Sequence, residues 1–278
     1  MSKVQSGDVA IHYRRLGQDR GLTPILVVHG LSYFSYDWLG VGESLGRERE
    51  VILMDMRGFG DSDWSPTRDY SVPSMAQDII AVLDHAGCRR AVLVGHSMGA
   101  RSTICAAAKH PQRAAALALI DYSPENAPAG SQRTATTVAG VPDRFASIEA
   151  AMAYFKSKDR ARFEAYLKPV DGGFVLKRDP HFRDQFRKLL DTGERPKLGV
   201  DMWQLLGEVR CPILSMRGTR SDMYAPETVA RMQAANPRLR VVEVDAGHNI
   251  AGDNKDGFLR EMQQFLSQAE EAHEHARN

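Results

Sequence analysis

From Pro24 onward, short runs of branched apolar residues alternate with longer stretches in which apolar positions return at helical spacing. A parallel sheet joined by crossover helices reads this way. Residues 25–28, 51–54, 91–94, 117–120, 212–216 and 239–244 predict its strands. They carry few polar positions, as strands covered on both faces do. Val9-Ala10-Ile11-His12-Tyr13 alternates more openly and predicts an antiparallel edge strand. Helices are predicted over 74–86, 99–109, 225–235 and 257–269, with Pro111 and Pro237 closing two of them.

The alternation breaks between Tyr122 and Gly207, where the pattern turns helical and polar with no buried strand. One α/β domain therefore accounts for the chain, with residues 1–121 and 208–278 as its core and 122–207 as a helical cap over the sheet's carboxyl edge.

The strongest chemical signal is Gly95-His96-Ser97-Met98-Gly99, which follows a predicted strand directly and opens a predicted helix. Glycines there permit a sharp turn that lifts the serine hydroxyl to a helix N-terminus, where free amides stabilise negative charge. Ser97 is thus the candidate nucleophile. Gly247-His248-Asn249 lies between the last strand and the final helix, which puts His248 at the same sheet edge as the candidate base. Two carboxylates could complete the set. Asp121 ends one strand before Tyr122-Ser123-Pro124, and Asp222 follows a later strand within Gly218-Thr219-Arg220-Ser221-Asp222. The other histidines outside His29 and His96 (His12, His85, His110, His181, His273 and His275) read as surface or tail residues.

Over nearly its whole length the chain resembles the α/β-hydrolase family, which carries serine, acid and histidine in this order. His29-Gly30-Leu31-Ser32 is similar to the family's HG loop, and the likeness implies an oxyanion hole from the Leu31 and Met98 amides. His29 itself reads as a buttress. Asp55-Met56-Arg57-Gly58-Phe59-Gly60-Asp61-Ser62 resembles a structural stretch of the family, with Asp55 and Arg57 holding a loop. Most members set the acid after the later strand, three residues beyond a glycine; here the spacing from Gly218 to Asp222 is four, which favours Asp121 without excluding Asp222. A narrower resemblance, to the (E)-2-(acetamidomethylene)succinate hydrolases, rests on residues 94–101, 106–111, 120–124 and 169–173. It too implies Asp121 as the acid, and cap arginines that bind substrate carboxylates. Arg133, Arg144, Arg160 and Arg162 are available, of which Arg133 and Arg144 are the candidates. Trp38 and Tyr122 are candidate pocket aromatics, with Tyr33, Phe34, Tyr36 and Trp203 as further ones.

Lysine plus arginine number 36 against 35 acidic residues, a balance with no basic run for nucleic acid. Three cysteines without CxxC spacing suggest free thiols, and no metal or cofactor is expected. With no signal-like or membrane-spanning run, a cytoplasmic enzyme acting on a small molecule is the expectation. Hydrolysis of a small ester, lactone, amide or enamide through an acyl-serine is the first reading, with a carbon–carbon bond hydrolase or a small-molecule receptor as alternatives. The sequence leaves the oligomeric state open.

Overall fold

A computed structural model describes residues 2–194 and 198–275, with side chains through residue 271, so the readings of His273 and His275 lie outside the described side chains. The chain opens with β1 (Ser2–Ser6), β2 (Val9–Leu16) and β3 (Ile25–Val28), then a 3-10 turn over Ser35–Trp38 and α1 (Leu39–Leu45). It continues through β4 (Val51–Met54), α2 (Val72–His85), β5 (Ala91–His96), α3 (Met98–Lys109) and β6 (Ala114–Ile120). Between β6 and the next sheet strand lie α4 (Pro128–Ala139), α5 (Ile148–Tyr154), α6 (Arg160–Tyr166), β7 (Leu167–Val170), β8 (Gly173–Leu176), α7 (Pro180–Thr192) and α8 (Met202–Glu208). The chain ends through β9 (Ile213–Gly218), α9 (Glu227–Ala235), β10 (Leu239–Val244), α10 (Ile250–Asp253) and α11 (Lys255–His275).

Eight strands form one sheet in the order β1-β2-β4-β3-β5-β6-β9-β10. Pairing is parallel from β4 to β10 and antiparallel at β1-β2 and β2-β4. The fold is the α/β-hydrolase sheet with helices on both faces. Period-two alternation divides the core: Leu26, Val28, Ile52 and Met54 face α2 and α3, while Ile25, Val27, Val51 and Leu53 face α1 and α11.

Two expectations need correction. Val9–Leu16 is not the edge, because the polar segment Ser2–Ser6 pairs outside it. The stretch between residues 122 and 207 is not purely helical either, since β7 and β8 pair as an antiparallel hairpin across Asp171-Gly172. Gly172 takes φ +72°, which the tight turn requires and which a run this short and half-exposed did not advertise. This region has its own apolar cluster of Val141, Phe145, Ala151, Phe163, Tyr166, Leu167 and Leu176, joined by Phe34 from the loop after β3. In contrast, α8 packs on α3 and α9. Among the described residues, no helix is long and apolar enough to cross a membrane.

Candidate active site

Ser97 stands between the end of β5 and the start of α3 with φ +51° and ψ −116°, a backbone conformation side-chain-bearing residues rarely hold. Its neighbours explain how the turn closes. A Cβ at Gly95 would lie 2.4 Å from the Thr103 hydroxyl oxygen, and one at Gly99 would lie 2.4 Å from the His29 carbonyl oxygen. Only glycine lets α3 approach β5 and the β3 loop this closely. Met98 is the first residue of α3, where amides lack an acceptor within the helix, and it lines the same cavity as Leu31 and Ser97.

His248 follows β10 and also lines that cavity. Its Nδ1–H donates to Asp121 Oδ2 at 2.6 Å. Asp121 ends β6, is 1 % exposed and holds φ +45°. The Gly218 amide donates to its Oδ1 at 2.9 Å and the Ser221 hydroxyl to its Oδ2 at 2.5 Å. Three donors therefore hold this carboxylate in place and aim it at the imidazole. Asp222 is placed elsewhere: Arg133 on α4 grips it with two bonds of 2.6 Å, and that guanidinium holds its carboxyl below the usual range. Gly218 and Ser221, from the loop read as a possible home of the acid, instead orient the earlier one.

Histidines beneath the site are buried and neutral. His29 donates from Nδ1 to the Gly30 carbonyl at 2.8 Å and accepts the Met56 amide on Nε2 at 3.0 Å, so its tautomer is set and it buttresses the loop. Burial pushes its pKa down. His96 donates from Nε2 to the His248 carbonyl at 3.0 Å, with its ring 4.8 Å from that of His248. Burial, then the neighbouring His248, push its pKa well below the ordinary histidine value. Sequence reasoning gave His96 no role, and only its place inside the serine turn could have signalled one.

The remaining candidates disperse. Trp38 is buried against Phe258 and Tyr122 lies in the core, both apart from the cavity lining. Burial pushes the Tyr122 phenol up to about 12. Arg144 is exposed beside the β7–β8 turn, and Arg160 pairs with Glu149 and Glu164. Arg162 binds Asp37 at 2.5 Å and the Ser32 carbonyl at 3.1 Å, which ties α6 to the loop carrying Leu31. Trp203 packs under Arg231. His12, expected at the surface, is 3 % exposed because its Nδ1 bonds Asp55 at 2.8 Å inside the loop that Asp55 organises. His12, Asp55 and Asp61 approach closely enough to share an ion, but Asp55 also accepts the Ser35 and Asp61 amides and Asp61 pairs with Lys177. Those bonds make the trio a loop fastening. Arg57 grips buried Asp78 with two bonds of 2.7 Å.

The cavity over Ser97 measures about 1110 Å³. Tyr70, Val72 and Met75 from the α2 side and Phe182, Phe186 and Leu189 of α7 form its apolar wall, with Tyr33 near the serine. His181, also expected at the surface, lines this cavity and packs on Tyr70.

This strand order, with a serine raised at the end of a central parallel strand, is the architecture of α/β-hydrolases. The chain belongs to that family and is a hydrolase: the alpha/beta hydrolase fold profile matches residues 23–151. Esterase YbfF of Escherichia coli is 38% identical over 254 residues, covering 88% of this chain and 93% of that one. N-formylmaleamate deformylase of Pseudomonas putida is 30% identical over 267 residues, covering 95% of each. The crystal structure of E-2-(acetamidomethylene)succinate hydrolase superposes with a TM-score of 0.82 at 26% identity, covering 96% of this chain and 98% of that one.

Proposed function

We propose that this protein hydrolyses a small ester or amide through an acyl-serine intermediate, with Ser97 as nucleophile, His248 as base and Asp121 as acid. The observation that carries the reading is the 2.6 Å bond from His248 Nδ1 to buried Asp121, since a ring that donates from Nδ1 turns Nε2 to the work of accepting a proton. Ser97 Oγ attacks the substrate carbonyl as His248 takes its proton. The Leu31 and Met98 amides receive the oxyanion, each worth about 3 kcal/mol in the transition state. His248 then protonates the leaving group, and water repeats the sequence to release the acid.

Relatives named as an esterase and a deformylase support acyl transfer to water. Residues 122–207 act as the cap that shapes the pocket, with Arg162 and Phe34 joining it to the oxyanion loop. Unpaired Cys88, Cys105 and Cys211 suit a reducing cytoplasm. Stopped-flow hydrolysis of a p-nitrophenyl ester tests the proposal: an initial burst of nitrophenol in the wild type, absent in Ser97→Ala, supports the acyl-serine. Turnover that survives Ser97→Ala overturns it.

A further inference from the structure

The charges lining the Ser97 cavity do not cancel. Asp69 accepts the Ser71 amide at 3.1 Å and the Ser74 hydroxyl at 2.5 Å and lies 3.8 Å from the Arg57 guanidinium. Glu125 pairs with Arg231, and Arg133 is taken by Asp222. Arg101 and Arg68 line the same cavity, and neither has an acidic partner among the described residues. Arg101 is half-buried on α3, where every other position from Gly99 to Ala107 is buried. A half-buried arginine without a carboxylate leaves its positive charge unmatched beside the nucleophile. Its guanidinium donates to the buried Tyr122 hydroxyl, a neutral group that leaves the charge uncompensated.

Placement gives the charge a direction. Arg101 follows Ser97 by four residues, one helical turn, which is about 6 Å of rise. Helical side chains lean toward the N-terminus, which on α3 is the end that carries the serine, and Arg101 and Ser97 line one cavity. An acyl chain leaving Ser97 along this wall meets Arg101 after the span of a short dicarboxylic acid.

Resting on the acyl-serine reading, we infer that Arg101 receives a carboxylate at the far end of the substrate, with Arg68 adding positive potential at the cavity rim. The preferred substrates are then anionic half-esters or half-amides of short dicarboxylic acids. The arginine that selects them sits in the core helix of the nucleophile, not in the cap, whose Arg133 and Arg162 hold the structure together.

The test compares the p-nitrophenyl half-ester of glutaric acid with neutral p-nitrophenyl pentanoate. The wild type is expected to favour the half-ester through KM. In Arg101→Gln the ratio of kcat/KM for the anionic over the neutral ester falls about tenfold or more, and Arg101→Lys retains part of it. Equal losses on both esters, or a selective loss in Arg133→Gln instead, overturn the assignment. Calorimetry of glutarate binding to Ser97→Ala, with and without Arg101→Gln, supplies a readout without turnover. Affinity that does not depend on Arg101 overturns the inference; Arg101-dependent binding in a protein that turns over neither ester upholds the anion site while the hydrolase reading fails.

Discussion

Ser221 donates its hydroxyl to Asp121 at 2.5 Å, while Asp222, the next residue, turns its carboxylate out to Arg133. One loop thus orients the carboxylate that we propose as the acid and diverts the other candidate. Asp121→Asn should lower kcat on a p-nitrophenyl ester by about 10³- to 10⁴-fold, because the amide no longer stabilises the imidazolium or its tautomer. Asp222→Asn should change kcat by less than about threefold and stability by about 1 kcal/mol or less, as an ion pair this exposed contributes little. The reverse order of effects would move the acid to β9.

Ser97 holds φ +51°, so its backbone stores strain that glycine would not. We expect Ser97→Gly to be more stable than Ser97→Ala by about 1 kcal/mol after the added unfolded-state entropy of glycine is subtracted. Urea denaturation of the two inactive variants reads this directly. Equal midpoints would show that the turn is unstrained.

His29 and His96 both have pKa values pushed below the ordinary histidine value by burial. Above pH 6.5 folded and unfolded chains hold these imidazoles neutral alike. Below it the unfolded chain binds protons that the folded chain refuses, so stability is lost as pH falls. Each histidine contributes up to about 1.4 kcal/mol per pH unit in that window. Thermal unfolding from pH 8 to pH 5 should show Tm level at first and then declining, with a shallower decline in His96→Gln. The lowered Asp8, Asp69 and Asp222 act only near and below pH 3.8, outside this range.

Arg162→Ala should loosen the segment that carries Leu31, because Asp37 loses its guanidinium partner and the Ser32 carbonyl its donor. We expect a loss of about 2 kcal/mol, smaller than for a fully buried pair because both side chains keep some exposure. Hydrogen exchange should quicken at residues 31–37, and kcat should fall more than KM rises. Unchanged exchange there would separate the cap from the oxyanion loop.

Legibility followed locality. Residues 25–28 and 51–54 match observed strands end to end, because buried parallel strands leave an uninterrupted apolar run, and 239–244 matches too although this edge strand carries Arg240 and Glu243. Ser97 and His248 stand out as candidates from their flanks alone, since a strand–turn–helix setting is a property of adjacent residues. The acid could not be settled so firmly: Asp121 and Asp222 differ in what Gly218, Ser221 and Arg133 do in space, and none of those partnerships has a periodic signature. His12 was misplaced for the same reason, its partner Asp55 lying 43 positions away. Nothing in the sequence around Arg101 marks it beyond its distance of four positions from Ser97, and its place on the cavity wall becomes visible only with the packing of α3 against α2.

The two aspartates also bear on ancestry. With a carboxylate already standing one residue beyond the hydroxyl that orients Asp121, transfer of the acid from β6 to β9 needs no new functional group. Deleting one residue between Gly218 and Asp222 would give the spacing of three at which most of the family set the acid, and Arg133 would have to release the carboxylate. Lineages of this fold that differ in the strand bearing their acid can therefore be joined by intermediates that carry both carboxylates, with one of them occupied as an anchor for the neighbouring helix.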